Sequence, residues 1–210
     1  MNQAPRVAVA ALTLAAAFGA SGCATRPRYI GAARPIEPAR FTDEPGWIVA
    51  GHVPPLQQRA DDDCGAAALA MVANRWQVPM TVPEALGALP PAGKLGARLG
   101  DLRDLARARG LTAFAIAGDR ATLVHELEAG RPIIVGLQLP YTGKLILPHY
   151  EVVVGINPAT HQVATIDPAA AGFRTRTFAA LEGEWGPPGR PTLIVLGRVD
   201  ANHPPQHAAN

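Results

Sequence analysis

The chain has 210 residues, with 19 Lys+Arg against 17 Asp+Glu and a formal net charge of +2. That near-balance excludes the electrostatic footprint of a nucleic-acid binder, so nucleic acid is not an expected partner. Pro and Gly, 21 of each, stay below the level that signals a disordered chain and mark turns instead.

Arg6 is the only charged side chain in residues 1–22, and residues 7–20 form a small, apolar run. A membrane helix needs about 20 apolar residues, whereas a secretory h-region needs about 7 to 15. Residues 1–22 are therefore read as a signal peptide. The run ends Ala20-Ser21-Gly22-Cys23, which resembles a lipobox, the site where a diacylglyceryl group is attached to the cysteine. Ala20 stands where Leu is usual, and ordinary signal peptidase would also accept Ala20-Ser21-Gly22. Without the lipid, export would permit a Cys23–Cys64 disulfide. The expected location is the bacterial cell envelope, with the lipid holding the chain on the periplasmic face of the outer membrane.

Residues 24–46 mix Pro, Arg, Ala and Gly without apolar periodicity, so residues 23–46 read as an extended, lipid-anchored tether. Residues 47–200 follow as one domain. A helix is predicted over 63–77, with Leu69, Val72, Ala73 and Trp76 at helical spacing and Asp62 or Asp63 as N-cap. Shorter helices are predicted near 83–89 and over 101–109, the latter burying Leu102 and Leu105 and ending at Gly110. A strand over 111–117 and a helix capped by Asp119 and closed by Gly130 come next. Strands then dominate, at 132–139, 149–156, 162–166, 173–178 and 192–199, with Asn157-Pro158-Ala159-Thr160 as a turn. Helices early and strands late favour an α+β fold with a helix packed on a mainly antiparallel sheet. Residues 201–210 read as a polar, disordered tail.

Cys64 falls at the first turn of the 63–77 helix, followed by Gly65. Unpaired N–H groups and the positive end of the helix favour a thiolate there, and a glycine neighbour lets a substrate approach. The Cys64 N–H would face a developing oxyanion, with a second donor from Gln57 or Gln58 just upstream. A thiolate peptidase also needs a base held by a third group. His149 opens one predicted strand and Asp167 closes the next, so a hairpin brings them side by side, with Nδ1–H donating to the carboxylate. Each residue alone has a bland reading: a packed helix cysteine, a surface histidine, an Asp-Pro turn. Their conjunction points to chemistry.

These residues resemble the bacteriocin-processing peptidases that cut after double-glycine leaders, which are papain-like cysteine peptidases. That family carries a Gln six residues before a cysteine in an Asp-Cys-Gly context, as Gln58 precedes Asp63-Cys64-Gly65 here. It also carries His-Tyr leading a valine-rich strand and then Asp-Pro, matched by His149-Tyr150, Val152 to Val154, and Asp167-Pro168. Looser similarity spans about 54–199. The resemblance implies a papain-like fold, Cys64 as nucleophile, Gln58 as oxyanion donor, His149 as base and acid, and Asp167 as its orienter. It implies a peptide or protein substrate, with an envelope export machine as a partner. Family members often sit at the front of an exporter with membrane helices and an ATPase, and this sequence shows neither, so a Gly–Gly-type leader stands as one expected target beside other envelope peptides or proteins. The alternatives are a cell-wall peptide hydrolase, which typically reads Asp-Cys-Ser-Gly, and an inactive peptide-binding accessory.

No cofactor is expected. Gly93-Lys94 lacks the Ser or Thr of a phosphate loop, and Pro204 and Pro205 break the helix that would align His203 with His207 on a metal. His52, His125 and His161 have no partner pattern. Asp61 to Asp63 read as a solvated capping run whose charge opposes a thiolate. Trp76 and Trp185 are assigned to the core.

Overall fold

The computed structural model describes residues 27–91 and 96–197; the expected signal peptide, Cys23, Gly93-Lys94, His203, His207 and the terminal tail lie outside these residues. The backbone of the fold is an antiparallel sheet. In spatial order it runs β1 (Arg34–Pro35), β7 (Gly172–Thr177), β6 (Gln162–Asp167), β5 (Leu145–Asn157), β4 (Ile133–Tyr141), β8 (Pro191–Leu196) and β3 (Thr112–Ala117). A short strand β2 (Ile48–Val49) takes the edge of β5 beyond the point where β4 ends. The α+β class with a mainly antiparallel sheet is the class the sequence pattern implies.

Helices cover both faces of the sheet. On one side lie α2 (Cys64–Arg75), α3 (Val82–Ala88) and α4 (Leu99–Ala108), packed on Ile134, Val152, Val154, Ile166, Leu193 and Val195. On the other lie α5 (Arg120–Glu128) and α6 (Phe178–Trp185), packed on Ile133, Val135, Leu137, Val153 and Val163. Adjacent residues of β4 and β5 thus serve opposite cores, because side chains alternate along a strand. This explains the unbroken run Val152-Val153-Val154: a strand covered on both faces has no polar side to show.

Helix α2 is the centre of one core, with residues 64–73 all buried. Six of those ten are alanine or glycine, which keeps the helix thin enough to be surrounded, and alanine is also the best helix former. Gly65 is part of that fit. A Cβ there would lie 3.1 Å from the Tyr150 ring and 3.3 Å from both Ala97 and Leu102. The expectation that Gly65 clears a path for substrate is therefore replaced: it clears a path for Tyr150. Asp63 occupies the N-cap position, but its side chain does not cap the helix. Its Oδ2 instead accepts the Ala60 N–H at 3.0 Å, which folds the preceding loop back onto the helix start.

Two other elements depart from the sequence reading. Helix α6 follows β7 with no loop, capped by the Thr177 hydroxyl accepting from the Ala180 N–H at 3.2 Å, and it buries Leu181 and Trp185. It lies where only a connection between strands was expected. The second departure is the tether. From Arg28 onward the chain is docked: Tyr29 bridges Tyr141, Arg34–Pro35 pairs with β7, and Phe41 of α1 (Ala39–Thr42) is buried against Trp47 and Phe173. Aromatic and strand-edge contacts outweigh the loop-like composition of this stretch. Trp185 is fully buried, as expected, while Trp76 is half-buried and donates its indole N–H to the Val195 carbonyl at 2.9 Å.

Candidate active site

Helix α2 begins beside the stretch where β5 and β6 carry their polar residues, and this brings Cys64, His149 and Asp167 together. The imidazole Nε2 of His149 lies 2.8 Å from Asp167 Oδ1. Both side chains are buried, and Cys64 is a buried free thiol beside them. The nitrogen on the carboxylate is thus Nε2 rather than the expected Nδ1, which leaves Nδ1 as the ring nitrogen not engaged by Asp167. His149 also does not open its strand. It is the fifth residue of a 13-residue β5, whose first part pairs with the end of β4 as a projecting hairpin.

Charge in the site is tightly organised. Burial by itself pushes the His149 imidazolium down, but hydrogen bonds to Asp167 and Cys64, with the charges of both, raise it from 6.5 to about 10. Burial likewise pushes Asp167 up. The His149 hydrogen bond and charge, the Ala169 N–H at 2.9 Å and the Arg174 guanidinium overcome this and hold its carboxyl well below the usual carboxylate range. Arg174 Nε sits 2.6 Å from Asp167 Oδ2. Tyr150, packed over Gly65, is pushed up to about 12, first by burial and then by the charges of Cys64 and Asp101.

Gln58 joins the same cleft. Its backbone N–H donates to the Pro168 carbonyl at 3.0 Å, so the residue after Asp167 pins the loop that carries Gln58. Its amide donates one hydrogen to the Ala60 carbonyl at 2.8 Å, and the second amide hydrogen remains for the cleft. Gln57, the alternative donor, is exposed and does not line the cleft. The cleft itself encloses about 610 Å³, with Cys64, His149, Gln58 and Ala169 among its lining. Tyr141, Leu147 and Pro148 of the projecting hairpin form one wall, and Asp61 and Asp62 stand at the mouth. Both carboxylates are exposed, so their charge reaches Cys64 only across solvent.

Arg174 is the site residue that sequence reasoning missed. The alternation Arg174-Thr175-Arg176 in β7 was its signal: one arginine every second residue points both to a single face. The second of them completes a deeper network. Arg176, with no exposed side-chain surface, pairs with Glu151 and Glu184, and Tyr29 donates its hydroxyl to Glu184 at 2.6 Å. His149, Glu151 and Asp167 present ligand atoms within 4.8 Å of one another, a spacing a cation could use. Arg174 and Arg176 already neutralise those carboxylates, so a metal would have to displace both. His52, His125 and His161 are exposed and away from this cluster.

The peptidase C39 family matches residues 52–187, a span that contains Gln58, Cys64, His149 and Asp167. Among solved structures, the chain is similar to the peptidase domain of Streptococcus ComA, a bifunctional ABC transporter of a quorum-sensing pathway. That match has 24% identity and a TM-score of 0.56, and covers 70% of this chain and 100% of that one. A double-glycine-motif protease from an AMS/PCAT transporter, solved with its leader peptide, matches at 22% identity and a TM-score of 0.55, over 69% and 91%. A C39-like peptidase from Bacillus anthracis matches at 15% identity and a TM-score of 0.59, over 73% and 99%. No curated protein matches the chain.

Proposed function

Because the chain belongs to the peptidase C39 family of cysteine peptidases, we propose that it is an exported, lipid-anchored enzyme that hydrolyses peptide bonds with Cys64 as nucleophile. The observation that carries this reading is the buried His149–Asp167 pair set against a thiol at a helix N-terminus. Burying charge is expensive, and a buried ionisable pair that lines a cleft beside a thiol marks a functional site.

In the proposed reaction Cys64 gives its thiol proton to His149 Nδ1 and its Sγ attacks the scissile carbonyl carbon, and the negative charge that develops on oxygen is received by the Cys64 N–H and the free amide hydrogen of Gln58. The first N–H groups of a helix have no partner one turn back, so the Cys64 donor is available without breaking a bond. As the C–N bond breaks, His149 gives its Nδ1 proton to the departing amine, leaving a thioester on Cys64. A water then attacks the thioester, His149 accepts the water's proton, and the carboxylic acid leaves as Sγ is released. Asp167 holds the ring by Nε2 throughout, and Arg174 holds Asp167.

The substrate is a peptide or protein. A Gly–Gly-type leader, the class named for one structural relative, is the first candidate, and an envelope export machine is the proposed setting. Residue Cys23 carries the lipid in this reading, at the periplasmic face of the outer membrane. The test compares wild type with Cys64→Ala on a peptide library containing Gly–Gly junctions and cell-wall stem sequences. Cleavage at Gly–Gly junctions that is lost in Cys64→Ala supports the proposal. Cleavage of stem peptides alone moves the assignment to a cell-wall hydrolase, and no Cys64-dependent cleavage of any sequence leaves a binding-only relative.

A further inference from the structure

The projecting end of the sheet has an unusual surface. Strand β4 and strand β5 pair through Leu139↔Leu147, Pro140↔Ile146 and Tyr141↔Leu145, and the turn Thr142–Lys144 joins them. A third strand-like segment lies on the outer edge of β4: Tyr29 bridges Tyr141, the Ile30 N–H donates to the Pro140 carbonyl at 2.9 Å, and the Thr142 N–H donates to the Arg28 carbonyl at 2.9 Å. Ile30, Pro140 and Ile146 therefore stand in one cross-strand row. Ile30 is 55% exposed and Ile146 59%, with Leu145 and Leu147 exposed on the other face of the same hairpin tip. These four are most of the large apolar side chains that the described residues leave in solvent.

The direction of the chain says what covers this end. Ile30 lies beside Pro140 and Arg28 beside Thr142, so the chain, followed back toward Cys23, passes along β4 to the turn and leaves there. Three residues separate Pro27, which lines the cleft, from Cys23, and the four Cα-to-Cα steps reach at most about 14 Å. A lipid on Cys23 holds the hairpin tip at a bilayer. The chemistry of the tip suits that surface: residues 139–147 contain no acidic side chain, Arg28 and Lys144 supply positive charge for lipid headgroups, and Tyr29 and Tyr141 sit behind the aliphatic residues.

We infer that the tip formed by Arg28–Tyr29–Ile30, the end of β4 and the start of β5 docks into the headgroup layer of the membrane that holds the lipid, with Ile30, Leu145 and Ile146 entering the acyl boundary. This rests on the lipid-anchor reading above. Its consequence is a site held at the membrane surface rather than lifted from it. Tyr141 and Leu147 belong to the cleft wall and Pro27 to its edge, so the cleft opens beside the bilayer and receives peptide segments that lie on or emerge from it.

The test uses the full chain, extracted from the membranes of a bacterial host and reconstituted in vesicles of phosphatidylethanolamine and phosphatidylglycerol with brominated acyl chains. Ile146→Trp and Leu145→Trp report from the tip. Phe114→Trp, an exposed position on edge strand β3 outside the projecting hairpin, is the reference. All three carry Cys64→Ala, so that the readout is independent of catalysis. Bromine quenching of either tip tryptophan at least about twofold stronger than that of Phe114→Trp is expected for side chains seated in the interface. Quenching no stronger than the reference in a chain whose mass includes the lipid overturns the docking, and gives this apolar surface to a peptide or protein partner. A mass without lipid overturns the anchor as well.

Discussion

Strands β5, β6 and β7 carry two polar rows two residues apart, the rear one completed by Glu184 of α6, and they have opposite uses. His149, Asp167 and Arg174 form the row at the cleft; Glu151, Arg176 and Glu184, closed by Tyr29, form the row behind it. The rear row is closed to solvent: its guanidinium is fully covered and pairs both carboxylates, leaving only its Nε without a partner, and Tyr29 is pushed up to about 12, first by burial and then by its bond to Glu184. The front row has one nitrogen turned out of it, the His149 nitrogen that faces Cys64 rather than Asp167. The same register that stacks charges for structure thus leaves one exchangeable proton beside a thiol. Alternation along a strand is enough to build both, because residues two apart share a face.

Substitutions in the two rows should separate activity from stability. The largest effect is expected for His149→Ala, which removes the proton carrier: kcat/KM for the best library peptide should fall about 10^4-fold or more, with less loss of thermal stability than a rear-row substitution causes. A loss of activity that tracks a loss of fold would merge the two rows. Next, Arg176→Ala leaves Glu151 and Glu184 buried without a counter-charge and should destabilise the protein by about 3–5 kcal/mol in denaturant unfolding, a magnitude typical of a broken buried pair. Asp167→Asn should lower kcat by about 10^2- to 10^4-fold through loss of the ring's orienting charge.

The pH dependence of that variant follows from sign. Since the Asp167 hydrogen bond and charge help raise His149 from 6.5 to about 10, the alkaline limb of the wild-type profile should lie near pH 10 and move to lower pH in Asp167→Asn. For stability, a raised histidine contributes fully below its unfolded value and loses that contribution as pH rises through about 10. The depressed Asp167 contributes above the unfolded carboxylate range and loses its share as pH falls toward its lowered value. An unfolding free energy that His149→Ala leaves unchanged between pH 6.5 and 10 would contradict this assignment. The smallest effect belongs to Tyr29→Phe, which removes one donor from Glu184 and one acceptor from the Ala33 N–H, and should cost about 1–2 kcal/mol. It should also speed amide exchange at Ala33, which reports whether the N-terminal segment is held by the rear row.

The front row was largely legible in the sequence and the rear row was not, for a physical reason. Asp-Cys-Gly at a helix start and His-Tyr followed by a valine run and Asp-Pro are local patterns, and a hairpin brings their ends together without knowledge of the whole fold. Glu151, Arg176, Glu184 and Tyr29 come from four separate segments, and nothing in a charged side chain's local sequence says that it will be buried. The same gap hid the docking of residues 28–46, whose Pro, Arg and Gly content reads as loop while its Tyr29 and Phe41 do the anchoring. Helix α6 was lost because Gly183 interrupts the pattern, although Leu181 and Trp185 stand one turn apart. At the site itself, which ring nitrogen faces Asp167 and which side chain needs Gly65 to be small depend on packing that no spacing argument contains.

The central claim is that Cys64 is a nucleophile charged through His149. The direct measurement is the rate at which iodoacetamide alkylates Cys64 at pH 7, followed by intact mass, in wild type and in His149→Ala. Wild type is expected to react at least about tenfold faster than the variant. Equal rates in the two proteins would contradict it.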